Sequence, residues 1–261
     1  MSTGVSSLLR ALTLPASLLA LAEVWLRASG YTGDAIALPS DVALACARAL
    51  IDGTLVLSTA QTIGAAMLGL LFGGGLGVLA GVWFGLSRSA RHLSVLSIEL
   101  LRPVPSVALI PLAMLLFGFG VRMETSVVSF ACFWPMLLLT QAAVRQVEPR
   151  LFEVARLLGL APIERMLKLV LPAAAPRIFV ALRISVGVAL VVAVTVEIAA
   201  NPYGLGYLAI TSQQNLRPDL MLATVAWIGL IGWALNRLLV RVQTLVFATH
   251  ARTLATVVEA A

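Results

Sequence analysis

Residues 150–176 read RLFEVARLLGLAPIERMLKLVLPAAAP and connect two stretches that are long and apolar enough to cross a membrane. A connection between membrane spans needs only a few polar residues, whereas this one has the length and spacing of two short helices. One side of the first helix is predicted to be apolar and is formed by Leu151, Val154, Ala155 and Leu158. Glu153 and Arg156 fall elsewhere on the helix, so it is predicted to be amphipathic.

Glycine and proline divide this segment in two. Gly159 can adopt the left-handed conformation that ends a helix, and Ala161-Pro162 begins a new direction. Ile163–Leu171 is predicted as a second amphipathic helix, which Pro172 closes before the next span. We therefore expect a stiff helix-turn-helix projection, which a soluble partner would grip in order to move the membrane helices.

The composition of the whole chain is that of a membrane protein. Sixty per cent of the 261 residues are hydrophobic, 11% are charged, and the mean hydropathy is +1.00. A helix needs about 20 apolar residues to cross a hydrocarbon core of about 30 Å, and several runs reach that length. These runs do not alternate apolar and polar residues as strands would. The sequence therefore predicts an all-α integral membrane protein.

Six transmembrane helices are predicted, at residues 11–28, 60–85, 103–120, 125–143, 177–200 and 220–240. Residues 38–53 are predicted as a short interfacial helix, because Pro39, Ser40 and Asp41 mark a helix start and the run is too short to cross. Lys and Arg are concentrated after the second and fourth spans and at the C-terminal end, which places those segments and both termini in the cytoplasm. The loop with Arg122 and Glu124 is balanced and is predicted outside. This distribution explains the net charge of +6 without a nucleic-acid partner.

The second span has a glycine at every fourth position, namely Gly69, Gly73, Gly77, Gly81 and Gly85. Such a spacing places the glycines along one side of a helix, where a neighbouring backbone can approach closely. We expect this stripe to serve helix packing, within the bundle or between subunits; a pore lining that needs small side chains is the alternative.

Four ionisable residues in or near the spans are candidates for the transport pathway or its gates. Glu99 and Arg102 are three residues apart and can pair, either to anchor a helix start or to contribute to an inner gate. Arg183 is close enough to the cytoplasmic edge to extend to the membrane surface. Glu197 follows a long apolar run near the external end of the fifth span, where it serves either the pathway or a structural hydrogen bond.

Motifs of catalytic and metal sites are missing from the sequence. It contains no GxxxxGK[ST] phosphate loop, no HExxH and no GxSxG. The histidines His92 and His250 and the cysteines Cys46 and Cys132 do not have the spacing of metal ligands. We therefore expect a protein that is not an enzyme and binds no metal or cofactor itself, so that active transport would take its energy from another subunit.

The charged segment also resembles a known motif. Glu153–Gly159, followed after nine residues by Leu169-Val170-Leu171-Pro172, is similar to the EAA loop of ATP-binding-cassette importer permeases. In that loop two alanines follow the glutamate, three residues precede the glycine, and nine more precede Ile-x-Leu-Pro. Val154 replaces the first alanine and Leu169 replaces the isoleucine, and the spacing is intact.

Two further stretches narrow the resemblance. Residues 98–120 (IELLRPVPSVALIPLAMLLFGFG) and 182–208 (LRISVGVALVVAVTVEIAANPYGLGYL) are similar to the subfamily that imports taurine, alkyl sulfonates, nitrate and related small molecules. Together the matches cover most of residues 39–245. Val121 departs from the subfamily, which often has an acidic residue after the FGxG segment.

This resemblance implies a type I importer permease of six transmembrane helices, in the cytoplasmic (inner) membrane of a bacterium. Residues 1–261 would form one permease domain, with the first span in 1–38, the permease core in 39–250 and a coupling segment in 150–172. Two copies would form the pathway, two separate ATPase subunits would bind ATP and magnesium, and an extracytoplasmic binding protein would deliver the solute.

Within the coupling segment, the resemblance implies ATPase-coupling roles for Glu153, Ala155, Gly159, Leu171 and Pro172. Glu153 would provide charged contacts or cap the helix, and Gly159 would form the turn.

The implied function is ATP-driven import of a small polar or anionic solute by alternating access. A membrane anchor that holds a soluble partner through the same segment is one alternative. An ion-coupled carrier is another, and it would need carboxylates deeper in the spans than the sequence indicates.

Overall fold

The computed structural model describes residues 3–29 and 36–259, and side chains for 13–29 and 36–247. Every regular element in these residues is helical, as predicted. The helices are α1 (Thr3–Ala28), α2 (Pro39–Ile51), α3 (Thr54–Gly69), α4 (Gly75–Leu86), α5 (Arg88–Leu101), α6 (Ile110–Phe117), α7 (Val121–Arg145), α8 (Pro149–Leu157), α9 (Pro162–Arg165), α10 (Leu171–Ala199), α11 (Leu205–Gln214) and α12 (Pro218–Glu259). Short π-helical turns at Leu70–Gly74 and Met166–Val170 join α3 to α4 and α9 to α10, and Ser106–Leu109 is a 3₁₀ turn.

Four of these helical stretches are long and apolar enough to cross a membrane. They are Thr54–Leu86, Val121–Arg145, Pro162–Ala199 and Pro218–Phe247. They contain the predicted spans at 60–85, 125–143 and 220–240 and nearly all of the span at 177–200. The predicted first span, 11–28, lies in α1, but side chains before residue 13 are outside the described part of the chain, so its crossing stays a prediction.

The prediction of one continuous span at 103–120 is wrong. Pro103 and Pro105 lack the backbone N–H that a helix needs, and the chain breaks there. α5 and the Ser106–Phe117 segment meet at 81° and together are long and apolar enough for a fifth, broken span. α6 alone has eight residues and rises only about 12 Å.

Pro172 does not close a helix as predicted. Pro162–Ala199 runs without interruption through Pro172 and Pro176. The π turn at Met166–Val170 ends two residues before Pro172. Pro172 has no backbone N–H to donate within a regular α-helix, and its ring would clash with the preceding turn, so the wider π turn accommodates it. The second helix of the coupling segment is therefore continuous with the next membrane span.

α7 lies at the centre of the bundle, between the α3–α4 rod and α10. The glycine stripe of the rod faces α7: a Cβ at Gly77 would lie 2.6 Å from the Phe133 carbonyl oxygen, and one at Gly81 would lie 2.6 Å from the Leu137 carbonyl oxygen. Gly73 meets the Ser129 carbonyl, while Gly69 and Gly85 meet the side chains of Val128 and Val144. Only glycine allows the two backbones to approach so closely.

An apolar cluster lies toward each end of the bundle. At the end that carries α8, a cluster around Val144, Val170 and Ala174 holds α4, α7, α8 and α10 together. At the end that carries α11, a cluster around Leu55, Leu190 and Leu205 joins α2, α3, α10, α11 and α12. We call these the α8 end and the α11 end.

Candidate functional site

The first candidate site is the projection at the α8 end. α8 begins at Pro149, whose fixed φ suits the first position of a helix, and Glu148 occupies the N-cap position without a side-chain capping bond. Glu153 is the fifth residue of the helix, so the expectation that it caps the helix is wrong. Its side chain is exposed and makes no ion pair or hydrogen bond with any described residue.

One face of α8 packs on the bundle. Ala155 is fully buried, and Leu151 and Phe152 pack against the cluster around Val144. Val154 and Leu158, predicted on the same apolar side, are exposed instead. The buried face is narrower than predicted because α8 rests on the bundle along one line only.

Gly159 makes the turn between the two parts of the projection. Its φ is +66°, in the left-handed region that side chains disfavour, and a Cβ there would meet nothing within 4 Å. The Leu160 N–H donates to the Ala155 carbonyl at 3.1 Å, which closes the end of α8. After the turn, the Ala161 N–H donates to Glu164 Oε2 at 3.2 Å at the start of α9.

The outer side of the projection exposes both large apolar side chains and charged side chains. Five large apolar side chains are exposed there, namely Val154, Leu157, Leu158, Ile163 and Leu167. Leu157 is 88% exposed. Of the motif residues after the turn, Leu171 is half-buried and Pro172 is exposed. We call the exposed apolar residues, together with Glu153 and Arg156, the coupling surface.

The second candidate site lies at the α11 end, where two carboxyl groups meet. Glu197 of α10 and Glu124 of α7 are 1% and 2% exposed. The two carboxyl groups are close enough to interact with each other. Glu197 Oε2 accepts the Gly206 N–H at 2.8 Å, and Glu124 Oε2 accepts from Asn201 Nδ2 at 2.6 Å.

The turn between α10 and α11 is shaped to fit this pair. Gly204 has a φ of +94°, and any Cβ there would collide with the Glu197 carboxylate. The Gly204 N–H donates to Gln61 Oε1 at 3.1 Å, and the Leu205 N–H donates to Thr62 Oγ1 at 2.9 Å. The pair and its neighbours thus connect α3, α7, α10 and α11.

Sequence reasoning placed Glu124 in a balanced loop and missed its role in this site. The fourth span was predicted to begin at residue 125, whereas α7 begins at Val121. Glu124 is four residues before Val128 and three before Val127, both buried, so it continues the inward face of α7. That spacing was the available signal.

Arg183 lies between α10 and α12. Its Nε donates to Asn236 Oδ1 at 2.7 Å, so it is paired with a neighbouring helix, where sequence reasoning had it extend to the membrane surface. The two residues line a cleft of about 420 Å³ whose other walls are mostly apolar. Gly187 and Gly232 also line the cleft; a Cβ at Gly187 would meet nothing within 4 Å, and one at Gly232 would lie 3.4 Å from Leu190 Cδ2.

Glu99 and Arg102 line a separate cleft of about 510 Å³ with Gln141 of α7. The expected ion pair between them is not formed: among the side chains described, neither residue takes part in a salt bridge. The structure therefore brings together Glu197 with Glu124 at one end, and leaves Arg183 in one cleft and Glu99 and Arg102 in another.

Several known proteins are similar to this chain. Over 224 residues it is 29% identical to the putative aliphatic sulfonates transport permease protein SsuC of Bacillus subtilis, which is 86% of this chain and 81% of that protein. Over 189 residues it is 31% identical to the taurine transport system permease protein TauC of Escherichia coli, covering 72% of this chain and 69% of that protein.

The chain also resembles solved structures in its fold and matches a protein family in its sequence. An inward-facing structure of the MetNI methionine ABC transporter matches with a TM-score of 0.53 at 19% identity, over 72% of this chain and 93% of that one. Residues 73–249 match the model of the binding-protein-dependent transport system inner membrane component. With its multi-pass helical bundle, the chain therefore belongs to that family, the membrane-embedded permease subunits of ATP-binding-cassette importers.

Proposed function

We propose that this permease imports a small polar or anionic solute of the sulfonate, taurine or nitrate-like class. The substrate class is supported by the names of two relatives to which the chain is similar, SsuC and TauC. The coupling surface is the observation that carries the proposal, because an exposed apolar patch on a membrane protein's polar end indicates a docking site for a soluble protein.

The proposed assembly has two copies of this chain, two ATPase subunits and one binding protein. The ATPases hold ATP and magnesium and dock at the coupling surface, so the α8 end faces the cytoplasm. The basic residues near α8 support this orientation, since they number six between Arg145 and Arg177, with only Glu148, Glu153 and Glu164 beside them. Closure of the ATPases then moves α8 and opens the pathway alternately to the two sides.

Glu153→Lys tests the coupling. The charge reversal lies on the coupling surface and breaks no described contact, so the chain should insert and fold normally. We expect the variant to co-purify poorly with its ATPase. Its rate of ATP-driven uptake in proteoliposomes should fall about tenfold or more, because a loss of about 1.4 kcal/mol in the binding free energy of the ATPase lowers its affinity tenfold.

Asp41→Lys is the matched control. Asp41 is an exposed acid on α2, which packs at the α11 end, away from the coupling surface. Normal ATPase recovery and normal uptake in both variants would refute the coupling role of Glu153. Normal ATPase recovery without any ATP-driven flux in the wild type would favour a membrane anchor instead.

An ion-coupled carrier is favoured by one observation, the buried pair Glu124 and Glu197. Uptake driven by a proton gradient in proteoliposomes that lack the ATPase would support the carrier. We expect none, because no tandem or inverted repeat is visible in the sequence, whereas the folds of such carriers often contain paired halves.

A further inference from the structure

The carboxyl pair at the α11 end is short of hydrogen-bond donors. Three acceptor oxygens there are buried without a partner among the described residues: Glu124 Oε1, Glu197 Oε1 and Asn201 Oδ1. Asn201 is itself 2% exposed, and its amide group is held in the site by its bond to Glu124. Buried polar atoms are normally satisfied, so unpartnered acceptors around two acids indicate that the site lacks a hydrogen-bond donor.

The surroundings of the pair supply no positive charge. α3 contributes Gln61 and Thr62, which are neutral, and the turn after α10 contributes Asn201 and backbone amides. Tyr207 of α11 lines the adjoining cleft, and Tyr203 is exposed.

The charged groups near this end lie elsewhere. Arg122 of α7 is exposed, and Arg217 and Asp219, before and at the start of α12, pair with each other at 3.5 Å. None of them interacts with the pair.

Two adjacent carboxylates cannot both stay ionised at such a site. Burial removes the water that would solvate them, and their repulsion adds to that cost. The N-terminal turn of α7 and the Gly206 amide stabilise one negative charge, not two. A single proton removes the second charge and turns one carboxyl into a donor for the other.

We propose that Glu124 and Glu197 bind one proton between them and that this shared proton holds the α11 end of the permease closed. Among the described residues no third Asp, Glu, His or Cys joins these two acids, and such a sparse ligand set favours a proton over a metal cation. Loss of the proton makes the carboxylates repel. The α10–α11 turn, held by Gly204, Leu205 and Gly206, then separates from α7.

Hydrogen exchange of residues 197–207 tests the proposal in the full-length chain in lipid nanodiscs, without partners or transport. The comparison is between the wild type and Glu124→Gln, whose amide replaces the shared proton permanently. Opening of the wild type releases one proton, so opening becomes easier as the pH rises. We expect the ratio of wild-type to variant exchange rates to rise by up to about tenfold per pH unit. The rise should begin at about pH 5 and stop at the pH at which the closed pair loses its shared proton.

Asp219→Asn is the matched control, an acid at the same end that lies outside the pair. Its exchange ratio to the wild type should stay constant with pH. A constant ratio for Glu124→Gln as well would overturn the proposal. The ratio of wild-type to Glu197→Gln exchange rates should rise with pH in the same way. Agreement between the two variants would show that the effect comes from the pair and not from a local change at one substituted residue.

Two measurements on the wild type keep the proposal testable if neither glutamine variant folds. The infrared spectrum at neutral pH should contain the carbonyl band of a protonated carboxylic acid, and absence of that band would refute the shared proton. Replacing sodium by choline should leave the exchange of residues 197–207 unchanged; strong protection by sodium would assign the site to a metal cation. Because neither measurement uses the ATPase, failure of the proposed import function would leave them unaffected.

Discussion

Gly73 is the point at which the α3–α4 rod and α7 come closest. A Cβ there would overlap the Ser129 carbonyl, which is backbone and cannot rotate away. We predict that Gly73→Ala destabilises the fold by about 1–3 kcal/mol, the usual cost of overpacking a close contact. Thermal unfolding of the purified chain in detergent measures the loss.

Gly75→Ala is the matched control for Gly73→Ala. Gly75 is also helical, but a Cβ there would meet nothing within 4 Å. Alanine should leave the unfolding temperature unchanged or raise it, because it favours the helix by about 1 kcal/mol. Equal destabilisation by both substitutions would show that the contact with Ser129 is not the cause.

The sequence predicted the structural role of some residues and not of others. The turn at Gly159 follows from its position between two apolar helical patterns, and the structure has the left-handed conformation there. Glu124 could not be assigned in the same way, since its partners Glu197 and Asn201 are more than 70 residues away in the chain. Contacts at that separation depend on how α7 and α10 pack, which local spacing does not determine.

At the scale of elements, Arg183 and Asn236 tie α10 to α12. We predict that Asn236→Asp leaves the chain folded, because the new carboxylate accepts the same Nε–H and forms an ion pair with the guanidinium. If the anion contacts Arg183 during transport, the carboxylate occupies its place. Uptake should then fall by about tenfold for each 1.4 kcal/mol of binding lost.

Gln213→Glu is the control for Asn236→Asp. It also replaces an amide by a carboxylate, but on the exposed side of α11, away from the cleft of Arg183. It should transport normally. Equal uptake by the wild type and Asn236→Asp would remove Arg183 from the pathway.

Element boundaries show where sequence patterns are informative. Hydropathy located the four long spans because lipid and core both require apolar side chains along the whole length. It failed at 103–120, where the apolar run continues through two prolines that break the backbone. It also placed a helix end at Pro172, because a proline stop and a proline next to a π turn look alike in sequence.

At the scale of the whole molecule, orientation in the membrane is the testable property. Leu157 at the α8 end and Leu216 at the α11 end are 88% and 69% exposed. In a chain with Cys46 and Cys132 replaced by alanine and expressed without its partners, we predict that a membrane-impermeant thiol reagent labels Leu216→Cys on intact cells. Leu157→Cys should be labelled only after permeabilisation. The reverse pattern would place the ATPases on the wrong side and refute the proposed orientation.

The family and the helical fold were predictable because the EAA-like spacing and the apolar runs are both local in sequence. How two copies meet is not encoded locally, since it depends on which apolar faces turn toward lipid and which toward a partner. The many exposed leucines of α3, α4 and α5 carry the same hydropathy in either case.

The uninterrupted helix Pro162–Ala199 begins in the coupling segment and carries Glu197 in its last turn. The 36 residues from Pro162 to Glu197 extend about 50 Å. No loop lies along this length to absorb a displacement, so the helix can transmit motion from one end to the other as a rigid body. A tilt imposed by a soluble motor at one end would arrive, as leverage, at the two acids on the other.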